Sequence, residues 1–344
     1  MSVKGGIGVR GIGVSAVILA LGLAFILPGC MALNGFINNG DDDQAELAIA
    51  SSNPTPGERR HYTSISAGLI HNCALDIDGE VTCWGLDVLG STNPPSGPFT
   101  QLSSGLFHTC ALDRDGQPTC WGSNTSGQSD PIMDNFQLIS AGGAHSCGVD
   151  GNGQVSCWGA DESGQSTAPD GVFDALASGG AHTCAIARDG QIQCWGANDE
   201  GQLDAPQGTF ADISAGSTHN CALDLRGRIA CWGSDDFGQA QPPEESFVAL
   251  SAGASHNCAI RHDGALFCWG SNAQGRSDPP AGHFTAVTAG GAHSCGVDHN
   301  GQLACWDTEI HPWLEPPTDL VASAGGREIR QKYDGKRILR ITRR

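Results

Sequence analysis

His71-Asn72-Cys73-Ala74-Leu75-Asp76, then Ile77-Asp78-Gly79, then Glu80-Val81-Thr82-Cys83-Trp84-Gly85: two extended runs stand on either side of an Asp-Gly turn. That is the pattern of a β-hairpin. Just upstream, Tyr62 to Ile65 offers a third strand, followed by Ser66-Ala67-Gly68. Every landmark returns 37 residues later with no insertion, as His71, His108, His145, His182, His219, His256 and His293 show. The tryptophans Trp84, Trp121, Trp158, Trp195, Trp232, Trp269 and Trp306 keep the same frame, and so do Tyr62 and the phenylalanines from Phe99 to Phe284. A fixed period of this length marks stacked or radially arranged units. Three or four short strands per unit, with aromatic and glycine marks once per unit, suit an all-β, seven-bladed propeller over residues 61–319. Radial closure also removes long exposed strand edges.

Composition agrees. Glycine is 49 of 344 residues and lysine only three, which argues against helical bundles, since each glycine inside a helix costs about 1 kcal/mol. The net charge of −19 argues against nucleic acid as a partner, because phosphate demands a basic face. That charge is uneven: +2 over residues 1–30, −27 over 31–326 and +6 over 327–344.

Residues 1–30 read as an export signal: Lys4 and Arg10 precede an apolar run from Ile12 to Leu27. Leu27-Pro28-Gly29-Cys30 resembles a bacterial lipobox, which makes Cys30 the expected lipidated N-terminus of a protein held at the outer membrane or cell surface. Met31 after it resembles the outer-membrane sorting pattern. Residues 31–60 are turn and linker chemistry, a flexible tether. Residues 320–344 form a basic tail that still reads as a hairpin about Asp334-Gly335, a possible closing strand or appendage.

Fifteen cysteines make seven pairs plus Cys30. With Ile77-Asp78-Gly79 as a three-residue loop, Cys73 falls opposite Cys83, close enough for a disulfide. The same register pairs Cys110 with Cys120, Cys147 with Cys157, Cys184 with Cys194, Cys221 with Cys231, Cys258 with Cys268 and Cys295 with Cys305. Zinc on His71, Cys73 and Cys83 is the rival reading. It is disfavoured because exported thiols oxidise and no fourth ligand recurs. No metal or other cofactor is expected.

The pattern Ala-Gly-x-x-His-x-Cys-Ala-Leu-x-x-Asp-Gly-x-x-x-Cys-Trp-Gly-x-x-x-x-Gly-Gln resembles the regulator-of-chromosome-condensation repeat. Its compact spacing is similar to the bacterial branch that includes the secreted β-lactamase inhibitor protein II. The resemblance implies a seven-bladed propeller. It leaves function open, since this fold hosts exchange factors, inhibitors and scaffolds.

Catalysis needs one asymmetric constellation, whereas the histidines recur identically and suit contacts between blades. The tryptophans suit interblade packing. Asp76-x-Asp78-Gly79 lacks a calcium-loop ligand series and reads as turn chemistry. Function is therefore expected where the repeat breaks. Units two to five keep Gly-Gln after the tryptophan, but unit one reads Leu86-Asp87-Val88-Leu89 and unit seven Ile310-His311-Pro312-Trp313-Leu314. Both odd loops are expected at the seam where the first and last blades meet. Leu86, Val88, Leu89, Ile310, His311, Trp313 and Leu314 are the partner-binding candidates, with Trp313 as anchor. Asp161-Glu162, Asp199-Glu200 and Asp235-Asp236 form an acidic rim. The expected protein is a monomeric, non-enzymatic interaction module for an unknown protein partner, touching a membrane only through its lipid. An inhibitor or regulator of an extracytoplasmic enzyme is the runner-up. Nucleotide exchange fits poorly with export, and a cell-wall hydrolase lacks a unique carboxylate pair.

Overall fold

The computed structural model describes residues 60–307 and 315–317, together with the backbone of 329–333 and 338–342. Seven three-stranded antiparallel sheets follow one another. Blade one is β1 (Tyr62–Ala67), β2 (His71–Asp76) and β3 (Val81–Gly85), and blade two is β4 (Phe99–Ser104), β5 (His108–Asp113) and β6 (Pro118–Gly122). Blade three is β7 (Phe136–Ala141), β8 (His145–Asp150) and β9 (Val155–Gly159), and blade four is β10 (Phe173–Ser178), β11 (His182–Ala187) and β12 (Ile192–Gly196). Blade five is β13 (Phe210–Ala215), β14 (His219–Asp224) and β15 (Ile229–Gly233), and blade six is β16 (Phe247–Ala252), β17 (His256–Arg261) and β18 (Leu266–Gly270). Blade seven is β19 (Phe284–Ala289), β20 (Ser294–Asp298) and β21 (Leu303–Trp306). The seven-bladed propeller expected from the repeat is the observed fold. A separate hairpin, β22 (Ile329–Tyr333) with β23 (Ile338–Thr342), pairs within the basic tail.

The hairpin register is the one the three-residue loop dictates. Asp76 N–H donates to the Glu80 carbonyl at 3.0 Å, and Gly79 takes the left-handed φ of 89°. Asp76 Oδ1 accepts from the N–H of Asp78 and Glu80, which folds the turn. Cys73 consequently faces Cys83, and the seven expected bridges are present from Cys73–Cys83 to Cys295–Cys305.

Hydrophobic packing runs between blades. Leu75, Val81 and the Cys73–Cys83 bridge of blade one pack on Phe99, Ala111 and Trp121 of blade two. Burying each large apolar side chain contributes about 1.5–3 kcal/mol. The ring closes by the same contact, with Tyr62, Ile65, Ala74 and Trp84 against Cys295 and Val297. Tyr62 N–H reaches the Gly301 carbonyl across that junction at 3.0 Å.

The strand directions define two faces. Turns between the first and second strands, and the loops after the third, emerge on one end, here the loop face. The three-residue hairpins emerge on the other, the hairpin face.

Candidate functional site

Around the axis on the loop face, each blade's turn holds the next by a backbone hydrogen bond. The series runs Leu69 to Leu106, Leu106 to Gly142, Gly143 to Gly179 and Gly180 to Gly216. It continues Ser217 to Gly253, Ala254 to Gly290, and Gly291 back to Gly68, at 2.9–3.3 Å. Glycine is required by space: a methyl group on Gly105 would lie 2.2 Å from the Gly142 carbonyl oxygen and 2.5 Å from His108 Cε1. The collar encloses about 70 Å³, lined by small residues such as Ser104, Ala141 and Ser178. Small-molecule sites occupy about 300 Å³ or more, so the axis is not one.

Outside the collar lies a girdle of seven buried histidines. His71 Nε2 meets Thr109 Oγ1 of the next blade at 2.9 Å, and His108 meets Ser146, His145 Thr183, and His256 Ser294 at 2.8 Å. His182 reaches Asn220 Oδ1 and His219 reaches Asn257 Oδ1 at 2.8 Å, and His293 closes the circle on Asn72 Oδ1 at 2.7 Å. An amide oxygen only accepts, so Nε2 carries the proton there. The relay continues: Ser146 Oγ donates to the Gln128 carbonyl, which also accepts Trp158 Nε1–H at 3.0 Å. Every tryptophan from Trp121 to Trp306 makes the equivalent bond. Six of the rings leave Nδ1 buried without a hydrogen bond. Burial accordingly drives the imidazoles toward the neutral form, to about 4 for His71, His145 and His219, and to about 3 for His108. These histidines hold blades together. The cysteines are bridged and the ring nitrogens face neighbouring blades, which removes the geometry of a zinc site.

The relay partners Asn72, Thr109, Ser146, Thr183, Asn220, Asn257 and Ser294 escaped sequence reasoning because their type varies. A short polar residue after every repeat histidine was the available signal.

Asymmetry lies in the loops. Asp161 and Asp235 of the acidic rim cap their own loops, each Oδ1 accepting a backbone N–H five residues on. Glu162, Asp199, Glu200 and Asp236 stand exposed beside them. Among the described residues, the loop face carries no exposed lysine, arginine or histidine, and Arg276 is buried there as the replacement for the repeat glutamine.

Unit one departs from this scheme. Ser91 takes the place of the glutamine, with its hydroxyl accepting from Val88 N–H. Leu89 sits at φ 56° and is 65% exposed. A left-handed leucine costs about 1–2 kcal/mol, a strain that marks candidate functional positions. Leu86 and Val88 beside it are half-buried. At the position matching Leu89, Phe237 is also 55% exposed, which the sequence reading missed.

One expectation needs correction. The loop of unit one does not lie at the seam of blades one and seven. Trp121 Nε1 of blade two bonds the Ser91 carbonyl, so Leu86, Val88 and Leu89 belong to the junction of blades one and two. Each of the six described loops packs forward onto the following blade in this way. Ile310, His311, Trp313 and Leu314, together with Cys30, lie outside the described residues.

Together these features make a closed, disulfide-stapled β-propeller with an irregular loop face. The Regulator of chromosome condensation (RCC1) repeat model matches residues 62–90, 99–128, 136–165, 173–202, 210–239 and 247–276, and the chain belongs to that family. The ectodomain of the Physcomitrella patens receptor kinase CR4 is 27% identical, with TM-score 0.64, covering 73% of this chain and 75% of that one. The CRINKLY ectodomain of the Arabidopsis thaliana receptor kinase ACR4 is 26% identical, with TM-score 0.61, covering 74% and 100%. Prp20p from Saccharomyces cerevisiae, 18% identical with TM-score 0.58 over 67% of this chain and 80% of that one, shares the fold. None of the curated proteins matches the sequence.

Proposed function

We propose that this protein is a non-enzymatic, lipid-anchored propeller displayed outside the cytoplasm, where it binds a protein partner through the loop face beside blade one. The observation that carries display is the set of seven cross-strand disulfides, which persist in oxidising compartments. Receptor ectodomains among the similar structures support the same reading. The proposed binding surface is exposed Leu89 with Leu86 and Val88, and Ile310, His311 and Leu314 of the unit-seven loop are its further candidates. The acidic rim of the loop face, with Glu162, Asp199, Glu200 and Asp236 exposed among the described residues, favours a partner with a basic surface, by steering and by excluding acidic competitors. At about 70 Å³ the axial collar is too small to be the binding site for a small-molecule ligand. Crosslinking on intact cells tests this reading: Leu89→Asp should abolish the partner adduct while the protein stays folded. An undiminished adduct refutes the site. Regulation of an enzyme is the second reading, favoured by the compact repeat spacing, and activity assays of extracytoplasmic hydrolases with purified protein examine it.

A further inference from the structure

Two departures from the repeat meet on the hairpin face, at the junction of blades two and three. The first is Gly151, in the blade-three hairpin. The six other blades carry an exposed side chain at this position: Ile77, Arg114, Arg188, Leu225, His262 and His299. Nothing in the fold asks for glycine here. A methyl group on Gly151 would meet only Gln137 Nε2 at 3.4 Å, an ordinary contact, and its φ is not left-handed. Gly153, two residues on, is the glycine the turn needs, with φ 84° and a methyl group that would lie 2.6 Å from Val172 Cγ1. The missing side chain at Gly151 leaves a groove.

The second departure is the segment leading into β7. Proline recurs at Pro95, Pro169, Pro206, Pro243 and Pro280, but unit two has Pro131 one place early. Asp134 N–H closes a tight turn on the Ile132 carbonyl at 3.0 Å, and Met133 at its apex is 78% exposed. Other units hold Ser96, Asp170, Gln207, Glu244 and Ala281 there. The groove encloses about 420 Å³, within the range of about 300–1,000 Å³ for small-molecule sites. Its walls are polar: Thr100, Arg114 and Asp115 of blade two, with Asn135 and Gln137 of blade three, all exposed. Arg60, Arg188, Arg228 and Arg261 stand beside the carboxylates of Asp76, Asp174, Asp224 and Glu245 at 2.7–3.6 Å, whereas Arg114 has no ion pair among the described residues. Asn135 Oδ1 accepts from Gln117 Nε2, which leaves the Nδ2 donors for a ligand. Asp113 Oδ1 is occupied by its own turn, accepting the N–H of Asp115 and of Gln117.

We propose that this groove is a saccharide site and that its ligand is a neutral sugar. Donors on Arg114, Asn135 and Gln137 stand beside acceptors on Asp115, Thr100 and Gln137. A hydroxyl group both donates and accepts, so a polyol satisfies both kinds at once. An anion would meet Asp113 and Asp115 against the single cation Arg114, on a chain of net charge −19. An apolar ligand would strip water from these polar groups without replacing their hydrogen bonds. Met133, two residues before Asn135, offers a soft apolar surface for the C–H face of a sugar ring. The groove lies on the face opposite Leu89, so it stands or falls apart from the proposed partner surface.

Saturation-transfer NMR on the native full-length protein, with cellobiose, maltose and chitobiose as probes, tests the assignment. At least one of them should bind with a Kd of about 1 mM. Gly151→Arg puts into the groove the side chain that units two and four carry at that position, so it should abolish the signal and leave the urea midpoint unchanged. Arg114→Gln removes a charged donor and should weaken binding about tenfold. Leu89→Asp, on the opposite face, should bind the sugar like the native chain. No transfer to any of the three sugars overturns the site, and so does transfer that survives Gly151→Arg or is lost in Leu89→Asp. Binding of galacturonate in place of the neutral sugars would make the groove an anion site and equally overturns the proposal.

Discussion

Lowering the pH from 7.5 to 5 loads protons onto the unfolded chain that the folded ring refuses. Unfolded, each girdle histidine titrates near 6.5; folded, burial holds His71, His145 and His219 at about 4 and His108 at about 3. The folded values are depressed, so this stabilisation is complete above pH 6.5 and is lost as pH falls toward the folded values. At pH 5 each such histidine has given up about 2 kcal/mol, and the four together about 8 kcal/mol. Whole domains are typically stable by about 5–15 kcal/mol, so the ring should unfold before its histidines titrate in place. His182 and His256 are shifted in the same direction by burial and steepen the loss. The opposite trend would come from charge repulsion, since protonation relieves the −19 net charge, and the sign of the slope separates the two effects. Urea titrations followed by tryptophan fluorescence at steps between pH 7.5 and 5 measure it. The expected slope near pH 5.5 is about 5 kcal/mol per pH unit from the four histidines, and His145→Gln should remove about one proton from it. Stability that changes by less than about 1 kcal/mol across this range would refute the assignment of the girdle as neutral and interblade.

Gly142→Ala would place a methyl group 2.4 Å from His145 Cε1 and 2.6 Å from the Gly179 carbonyl oxygen, and should cost about 2–3 kcal/mol in chemical denaturation. The double variant Cys147→Ser with Cys157→Ser opens one hairpin staple and should lower stability by about 2.5–3 kcal/mol, measured the same way with the other six bridges intact. Cys30→Ser should leave a soluble or unprocessed protein that no longer partitions into detergent; membrane association like that of the wild type would exclude lipidation at Cys30.

The fold was legible because a period of 37 residues overrides any uncertainty within one unit, and Gly79 fixed the hairpin on which Cys73 meets Cys83. The girdle was half legible. His71 repeats as one residue type, whereas its receptor on the next blade is threonine, serine or asparagine, since an oxygen at one distance is all the bond requires. The misplacement of Leu86, Val88 and Leu89 has a geometric cause. Sequence order assigns a loop to the unit it follows, but the third strand leads it forward onto the next blade's tryptophan. Arg60 was invisible as a contact residue because it precedes the repeat and matches nothing in it.

Trp313 follows Arg276 by one repeat, and that frame predicts its role better than its aromatic character does. The side chains at this position, Gln128, Gln165, Gln202, Gln239 and Arg276, are 1–5% exposed. Gln128 Oε1 accepts the N–H of Ser126, and Arg276 Nε–H donates to the Ala273 carbonyl, so each pins its own loop. An indole only donates, and it cannot accept the backbone N–H that the glutamines take. Pro312 adds a second conflict: it fixes φ near −65°, where Gly127, Gly164, Gly201, Gly238 and Gly275 have φ between 68° and 81°. Trp313 therefore cannot repeat the glutamine's hydrogen bond, and a packing role is the expected outcome for its apolar bulk. Trp313→Ala should lower stability by about 3–5 kcal/mol in urea denaturation. The partner adduct at Leu89 should survive under conditions where the variant is folded. An unchanged denaturation midpoint together with a loss of about thirtyfold in partner affinity would return Trp313 to the surface, as an interface anchor of about 2 kcal/mol.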